Sequence, residues 1–354
     1  MKIALITDTH FGARNDNPIF ADYFAMFYRD CFFPYLERQG ISTVIHLGDI
    51  VDRRKYINFV TARRLRRDFI DPCVNNGIKL HVIIGNHDIY YKNTNEVNAM
   101  EELYSDRYSD VLFHSGPAVE YFDDLPIAFL PWICTDNYER SMEFLKTTNA
   151  QVLFGHLELA GFEMYKGSVN DHGFDAKIFS KFDVVCTGHF HHKSTRDNIN
   201  YLGAPYEITW SDYNDPRGFH IFDTETRTLE FIENPFKIFH KIHYDDLNKS
   251  MDEVVAIDPS QYKNTIVKVI VRNKTNPFWF DMVIEKLERA GVLDMQVVED
   301  HFYLNLEDDQ DIVNEAEDTI TILNKFVDQM ELNVDKKKLE LLMQSLYNEA
   351  LTIE

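Results

Sequence analysis

From residue 2 to about 235 the chain repeats one pattern, a short apolar run closed by a small cluster of Gly, Asp, Asn or His. The runs are IALITD (3–8), TVIHLGD (43–49), LHVIIGNHD (80–88), IAFLPW (127–132), VLFGH (152–156), VVCTGHFHH (184–192), YLGAP (201–205) and FHIFD (219–223). Runs this short, rich in Val and Ile and ended by turn residues, predict buried strands. Stretches of helical length separate the early ones, around 20–38, 58–75 and 136–147. Alternating strand and helix predicts an α/β domain over residues 1–235, with polar residues gathered where the strands end.

Residues 236–262 follow Pro235, contain Pro259 and show no strong periodicity, so they read as a connection. A small β-α-β unit is expected over 263–306. TIVKVIVR (265–272) predicts a strand, Pro277 opens a helix that Gly291 ends, and MQVVED (295–300) predicts a second strand. In 307–354, Ile312, Ala316, Ile320, Leu323, Val327 and Met330 recur at helical spacing. Leu339, Leu342, Met343, Leu346 and Ala350 do so again after Asp335, a predicted N-cap. Two terminal amphipathic helices suit either a partner's groove or their own domain.

The length of 354 residues accommodates a large domain and a small one. A 45% hydrophobic content excludes a disordered or fibrous chain. The first apolar run meets Asp8 too early for a signal peptide, and no stretch approaches the ~20 apolar residues of a membrane span. Cys31, Cys73, Cys134 and Cys186 stand far apart without a CxxC pair, so reduced thiols in a cytoplasmic protein are expected, with no membrane association. A net charge of −22 argues against non-specific attraction to nucleic acid. The distribution is uneven, however. Much of the negative charge lies in 301–354, while Arg53, Arg54, Lys55, Arg63, Arg64, Arg66 and Arg67 form a basic cluster.

Five motifs stand at the ends of five predicted strands: DTH (8–10), GDIVD (48–52), GNHD (85–88), GH (155–156) and GHFH (188–191). One GH or GD at a strand end is usually a turn. Five in this order point to a single site. Carboxylate, amide oxygen and imidazole without thiol suit divalent ions such as Mn²⁺, Fe²⁺ or Zn²⁺. In a two-metal phosphoester hydrolase a carboxylate must bridge the ions, and Asp49 is the candidate.

The order DxH, GDxxD, GNHD, GH, GHxH resembles the calcineurin-like metallophosphoesterase superfamily over roughly residues 1–235. The resemblance implies a four-layer α/β sandwich, two packed sheets flanked by helices. It places Asp8, His10, Asp49 and His191 around one ion, and Asp49, Asn86, His156 and His189 around the other. It leaves His87 as the acid that is not a ligand. The ions implied are two divalent metals, manganese foremost, with magnesium, iron or zinc as alternatives. Strings such as LPW (130–132), GHLELAGFEMYKG (155–167) and NDPRGFHIFDTET (214–226) extend the likeness to SbcD-type nuclease subunits of double-strand-break repair complexes, including those of T-even phages. That implies a DNA exonuclease and single-strand endonuclease with a β-α-β cap. It also implies C-terminal helices that dock on the coiled-coil base of an ABC-type ATPase, and a homodimer through helices of the phosphoesterase domain. Cellular eukaryotic and archaeal relatives commonly carry His where this chain has Asp52. Its carboxylate can support the His87 imidazolium, or it can merely cap the turn.

The basic residues Arg53, Arg54, Lys55, Arg63, Arg66 and Arg67 form either a solvated face or contacts to a DNA backbone. A protein phosphatase or small phosphodiesterase on the same metals is the competing function. GDIVDR resembles the serine/threonine phosphatase motif, but those enzymes carry GNHE and lack the cap and terminal helices.

Overall fold

Two six-stranded sheets form the body of the protein, whose computed structural model describes residues 1–299. In chain order the strands are β1 (Lys2–Ile6), β2 (Thr43–His46), β3 (Lys79–Ile83), β4 (Val111–His114), β5 (Ala118–Phe122), β6 (Leu125–Leu130), β7 (Val152–His156), β8 (Glu163–Tyr165), β9 (Ser168–Val169), β10 (Val184–Gly188), β11 (Ser194–Arg196), β12 (Ile199–Tyr201), β13 (Gly218–Asp223), β14 (Leu229–Glu233), β15 (Phe239–Asp245), β16 (Ile266–Asn273) and β17 (Asp294–Val298). The first sheet runs β14-β13-β1-β2-β3-β4 and the second β11-β12-β10-β7-β6-β5. Within them β1 to β4 are mutually parallel, as are β12, β10, β7 and β6. Parallel strands share a polarity, so the loops that carry the motifs emerge at the same ends.

The sheets face each other through Ile3, Leu5, Ile45, Leu47 and Ile83 on one side and Ile127, Phe129, Val152, Phe154 and Cys186 on the other, all buried. Helical residues 18–39 and 59–75 cover the first sheet. Their rings interlock, with Tyr28 and Phe69 centroids 5.3 Å apart and Phe32 and Phe219 of β13 4.9 Å apart. Asn17 and Asn58 cap these helices by accepting from Ile19 and Val60 N–H. The helix Tyr138–Thr147 lies against the outer face of the second sheet through Leu145, with Phe179 beside it. The result is the expected four-layer sandwich.

The strand expectations agree except at YLGAP, where β12 precedes rather than contains the Gly-Ala-Pro turn. The cap contains the expected β16, the helix Pro277–Ala290 and β17. Asn276 caps that helix at its start, and Gly291 ends it in the left-handed conformation (φ 85°). The segment 236–262 differs from the expected connection. It supplies β15, which pairs in parallel with β16 and so makes the cap sheet three-stranded. The strand was hidden because its buried residues Phe239, Ile242 and Tyr244 do not alternate strictly and His240, Lys241 and His243 interrupt them. The end of the expected cap, 300–306, and the helical segment 307–354 lie outside the described residues.

Candidate metal centre

The five motif loops meet where the two sheets open. Asp8 and His10 follow β1, Asp49 follows β2, Asn86 and His87 follow β3, His156 ends β7, and His189 and His191 follow β10. Four of these residues hold left-handed backbone: Asp8 (φ 52°), His10 (φ 43°), Asp49 (φ 55°) and His189 (φ 92°). Such conformations disfavour L side chains and persist only where the surroundings over-determine them. Here Asp8 N–H donates to Gly48 O (3.0 Å), His10 N–H to Asp49 O (3.1 Å) and Phe11 N–H to Ile50 O (2.7 Å), locking the first two loops together. Gly48 (φ 104°) leaves room for the His156 ring, which a side chain there would strike.

Three groups of donors result, two of which hold residues expected as ligands. In the first, Asp8, His10 and His191 present ligand atoms within 4.8 Å of one another, with His10 Nε2 and His191 Nε2 3.0 Å apart. In the second, Asp49, His156 and His189 do the same. Asn86 Oδ1 joins that group, 3.0 Å from His156 Nε2 and 2.9 Å from His189 Nδ1. Asp49 Oδ2 lies 3.3 Å from His156 Nε2 and 4.0 Å from His10 Nε2, between the two. Donors about 2.1 Å from one ion on adjacent octahedral corners stand about 3.0 Å apart, so these spacings suit divalent cations.

The hydrogen-bond chemistry makes the same demand. His156 Nδ1 donates to Leu47 O at 2.7 Å. In a neutral ring its Nε2 lone pair therefore faces the oxygens of Asn86 and Asp49, acceptor against acceptor. Positive charge must enter, as protons or as metal. Burial works to lower His156, but Asp49 and Asp8 overcome it and carry the ring up to about 9. His10 also reaches about 9, with Asp52, Asp49 and Asp8 outweighing burial. Asp49 is held well below the usual carboxylate range because His156, His87 and His10 outweigh its burial. Burial lifts Asp8 to about 6 against the opposing effect of His156. His189 and His191 are pushed down, first by burial and then by the neighbouring cationic rings, His189 to about 3.

The third group sets His87 beside His10 and Asp52, with ligand atoms again within 4.8 Å of one another. The His87 main-chain N–H donates to Asp49 Oδ1 (2.7 Å), and its Nδ1 donates to the main-chain carbonyl oxygen of Asp52 (2.6 Å). That leaves Nε2 without a hydrogen-bond partner among the described residues. The Asp52 carboxylate lies 3.4 Å from His10 Nδ1, so its main hold is on His10, and His87 is supported by the Asp52 backbone. Asp52 itself is lowered, since His10 and His87 outweigh its burial.

Three residues that the motif reading passed over complete the centre. Asp88, fourth in GNHD, is fully buried and accepts from the N–H groups of Gly85 (2.8 Å), Asp49 (2.9 Å), Ile50 (2.9 Å) and Val51 (3.2 Å), tying the second and third loops together. Its place in the motif was the available signal. His46 accepts from Gly48 N–H (3.2 Å) and meets Thr9 Oγ1 (3.0 Å), which no local pattern reveals. The Trp132 ring of LPW lies 5.1 Å from His189.

The basic cluster is not uniform. Arg53 pairs with Asp16 and Asn15, Arg64 with Asp22, Arg67 with Asp68, and Arg66 lies 3.7 Å from Asp71. Arg54, Lys55 and Arg63 have no carboxylate partner among the described residues.

Comparison with known proteins identifies the family. Residues 1–193 match the calcineurin-like phosphoesterase family. The chain is 36% identical to Exonuclease subunit 1 of Enterobacteria phage T4 over 288 residues, covering 81% of this chain and 82% of that protein. It is 23% identical to the SbcD component of the SbcCD nuclease of Staphylococcus epidermidis over 317 residues, 80% of this chain and 79% of that one. Among solved structures it is similar to a dimetal phosphatase from Danio rerio (TM-score 0.41, 12% identity, 62% of this chain and 91% of that one). An archaeal phosphodiesterase matches with TM-score 0.33 and 14% identity, over 66% of this chain and 99% of that one. The family match spans more than half of the chain and takes in all five motifs, so this protein belongs to the calcineurin-like phosphoesterase family.

Proposed function

We propose that the chain is the nuclease component of a manganese-dependent DNA-processing complex, an exonuclease and single-strand endonuclease that works with an ABC-type ATPase in recombination and break processing. The observation that carries the reading is the place of Asp49, a buried carboxylate between two groups of metal-binding side chains. Support for the substrate comes from the relatives, which are named as components of an exonuclease and of a nuclease. In this reading Asp8, His10, Asp49 and His191 hold one ion, and Asp49, Asn86, His156 and His189 the other. When bound, the ions supply Lewis-acid charge and water of lowered pKa for in-line hydrolysis.

The remaining chemistry belongs to the protein. As the imidazolium, His87 gives its Nε2 proton to the leaving sugar oxygen and becomes neutral, while Nδ1–H stays fixed on the Asp52 carbonyl. Asp52 steadies His10 from the side away from His191. Arg54, Lys55 and Arg63 contribute backbone contacts to DNA, whereas Arg53, Arg66 and Arg67 are engaged with carboxylates of the fold. Incubating the purified chain and Mn²⁺ with linear DNA, a phosphopeptide and an aryl phosphodiester in parallel tests the function. DNA hydrolysis is expected, and turnover of phosphopeptide without DNA cleavage overturns the reading.

A further inference from the structure

The ligand loop after β10 is gripped from behind by a side chain that the hydrolysis does not use. Arg217, just before β13, is buried at 4% exposure, and its Nη1 donates to the main-chain carbonyl oxygen of His191. Its Nη2 donates to Asp212 Oδ1 (2.8 Å) and Asp215 Oδ2 (2.7 Å). The same Asp215 oxygen meets His192 Nδ1 at 2.9 Å, and His192 Nε2 lies 3.5 Å from Glu163 in β8.

We propose that Arg217 is a positioning residue of the metal centre, setting His191 against His10 and Asp8. The inference rests on the metal-binding reading above. Asp8 and His10 come from the first sheet and His191 from the second. The core between the sheets is mostly Ile, Leu, Val and Phe, whose packing is non-directional. Holding two imidazole nitrogens 3.0 Å apart across that junction needs directional bonds. Arg217 supplies one, because β13 is hydrogen-bonded to β1 and the guanidinium carries that position onto the His191 backbone. A buried guanidinium is costly to desolvate and apolar residues often stabilise as well, so its fork of donors at this point is better explained by placement than by stability.

The test compares Mn²⁺ binding by calorimetry and metal content in wild type, R217M, R217K and D215N, with unfolding monitored on the same samples. Wild type is expected to bind two Mn²⁺. R217M should bind the weaker ion at least ~10-fold less tightly, and R217K should fall between it and wild type, as a single ammonium nitrogen spans fewer of the acceptors than the guanidinium fork. D215N removes a charge but keeps an amide oxygen that can accept from Arg217 and His192, and leaves the bonds of Arg217 to His191 and Asp212 in place, so its Mn²⁺ affinity should stay within ~3-fold of wild type. If R217M does not fold, R217K carries the comparison, since it keeps a cation opposite Asp212 and Asp215. Two Mn²⁺ held by R217K at wild-type affinity, or a loss in D215N equal to that in R217K, overturns the proposal. A wild-type chain binding fewer than two ions instead overturns the two-metal reading beneath it.

Discussion

At the scale of single residues the proposed centre separates candidate ligands from a candidate acid and from groups that hold loops. His87 donates through Nδ1 to a backbone carbonyl and leaves Nε2 without a hydrogen-bond partner among the described residues, while its neighbour Asn86 joins a ligand group. His87→Gln is therefore expected to keep both metals and DNA affinity and to lose about 10²–10⁴-fold in single-turnover cleavage. Wild-type cleavage by this variant, or a defect traced wholly to lost metal, removes His87 as the acid. Asp52→Asn should behave differently, because its carboxylate faces His10. It should weaken Mn²⁺ binding more than it slows metal-saturated turnover, and the reverse order in titrations would return Asp52 to the support of His87. Asp88 accepts from four buried N–H groups, each costing about 1–3 kcal/mol if left unpaired. Asp88→Ala should accordingly destabilise the fold by at least ~3 kcal/mol in urea unfolding, and a loss under ~1 kcal/mol would show that the loops hold without it.

At the scale of elements, β3 and β4 bring His81 and His114 together in the interior, with Nδ1 and Nε2 3.1 Å apart and the rings stacked. Burial pushes His81 down to about 3, helped by His114 and Lys79, and His114 down to about 4, helped by Lys79. A histidine whose folded pKa is depressed takes up its proton in the unfolded chain first, near pH 6.5. Stability is then full above that pH and falls as pH drops toward 4, by about 1.4 kcal/mol per pH unit for each ring. Melting temperatures at pH 7.5 and 5.5 should diverge strongly in wild type and less in a doubly substituted chain with His81→Gln and His114→Gln. Equal losses in the two proteins would assign the acid sensitivity elsewhere. At the same scale the helix Pro277–Ala290 is legible in the sequence and β15 is not. That helix carries its own start and stop in Asn276, Pro277 and Gly291, whereas β15 becomes recognisable only by pairing with β16.

At the scale of the whole molecule the cap is joined to the body by specific bonds. Glu207 accepts from Ile238 and Phe239 N–H (2.8 and 2.9 Å), and Tyr23 OH donates to Phe236 O (2.9 Å). None of these involves residues 307–354, which are remote in sequence from every proposed ligand. Removal of 309–354 is expected to leave Mn²⁺-dependent cleavage of short single-stranded DNA within ~3-fold of the full chain and to abolish assembly with the proposed ATPase partner. Co-purification of the truncated chain with that partner would refute it. Among the described residues no helix is long and apolar enough to cross a membrane.

What the sequence by itself determined is whatever rests on neighbours along the chain. Val- and Ile-rich runs make strands, Asn and Gly cap helices, and Gly, Asp and His at strand ends mark the seven proposed ligands and His87, because propensity and turn chemistry act over a few residues. Tertiary structure decided what depends on partners far apart in sequence. It turned the Asp52 carboxylate toward His10 and gave its carbonyl to His87, it made Asp88 and His46 the supports of the ligand loops, and it set Arg217 behind His191. It also committed Arg53 to Asp16 while leaving Arg54, Lys55 and Arg63 without a carboxylate partner among the described residues. Such choices follow from which buried donors and acceptors must be satisfied once the sheets have packed, a condition that does not exist until the chain has folded.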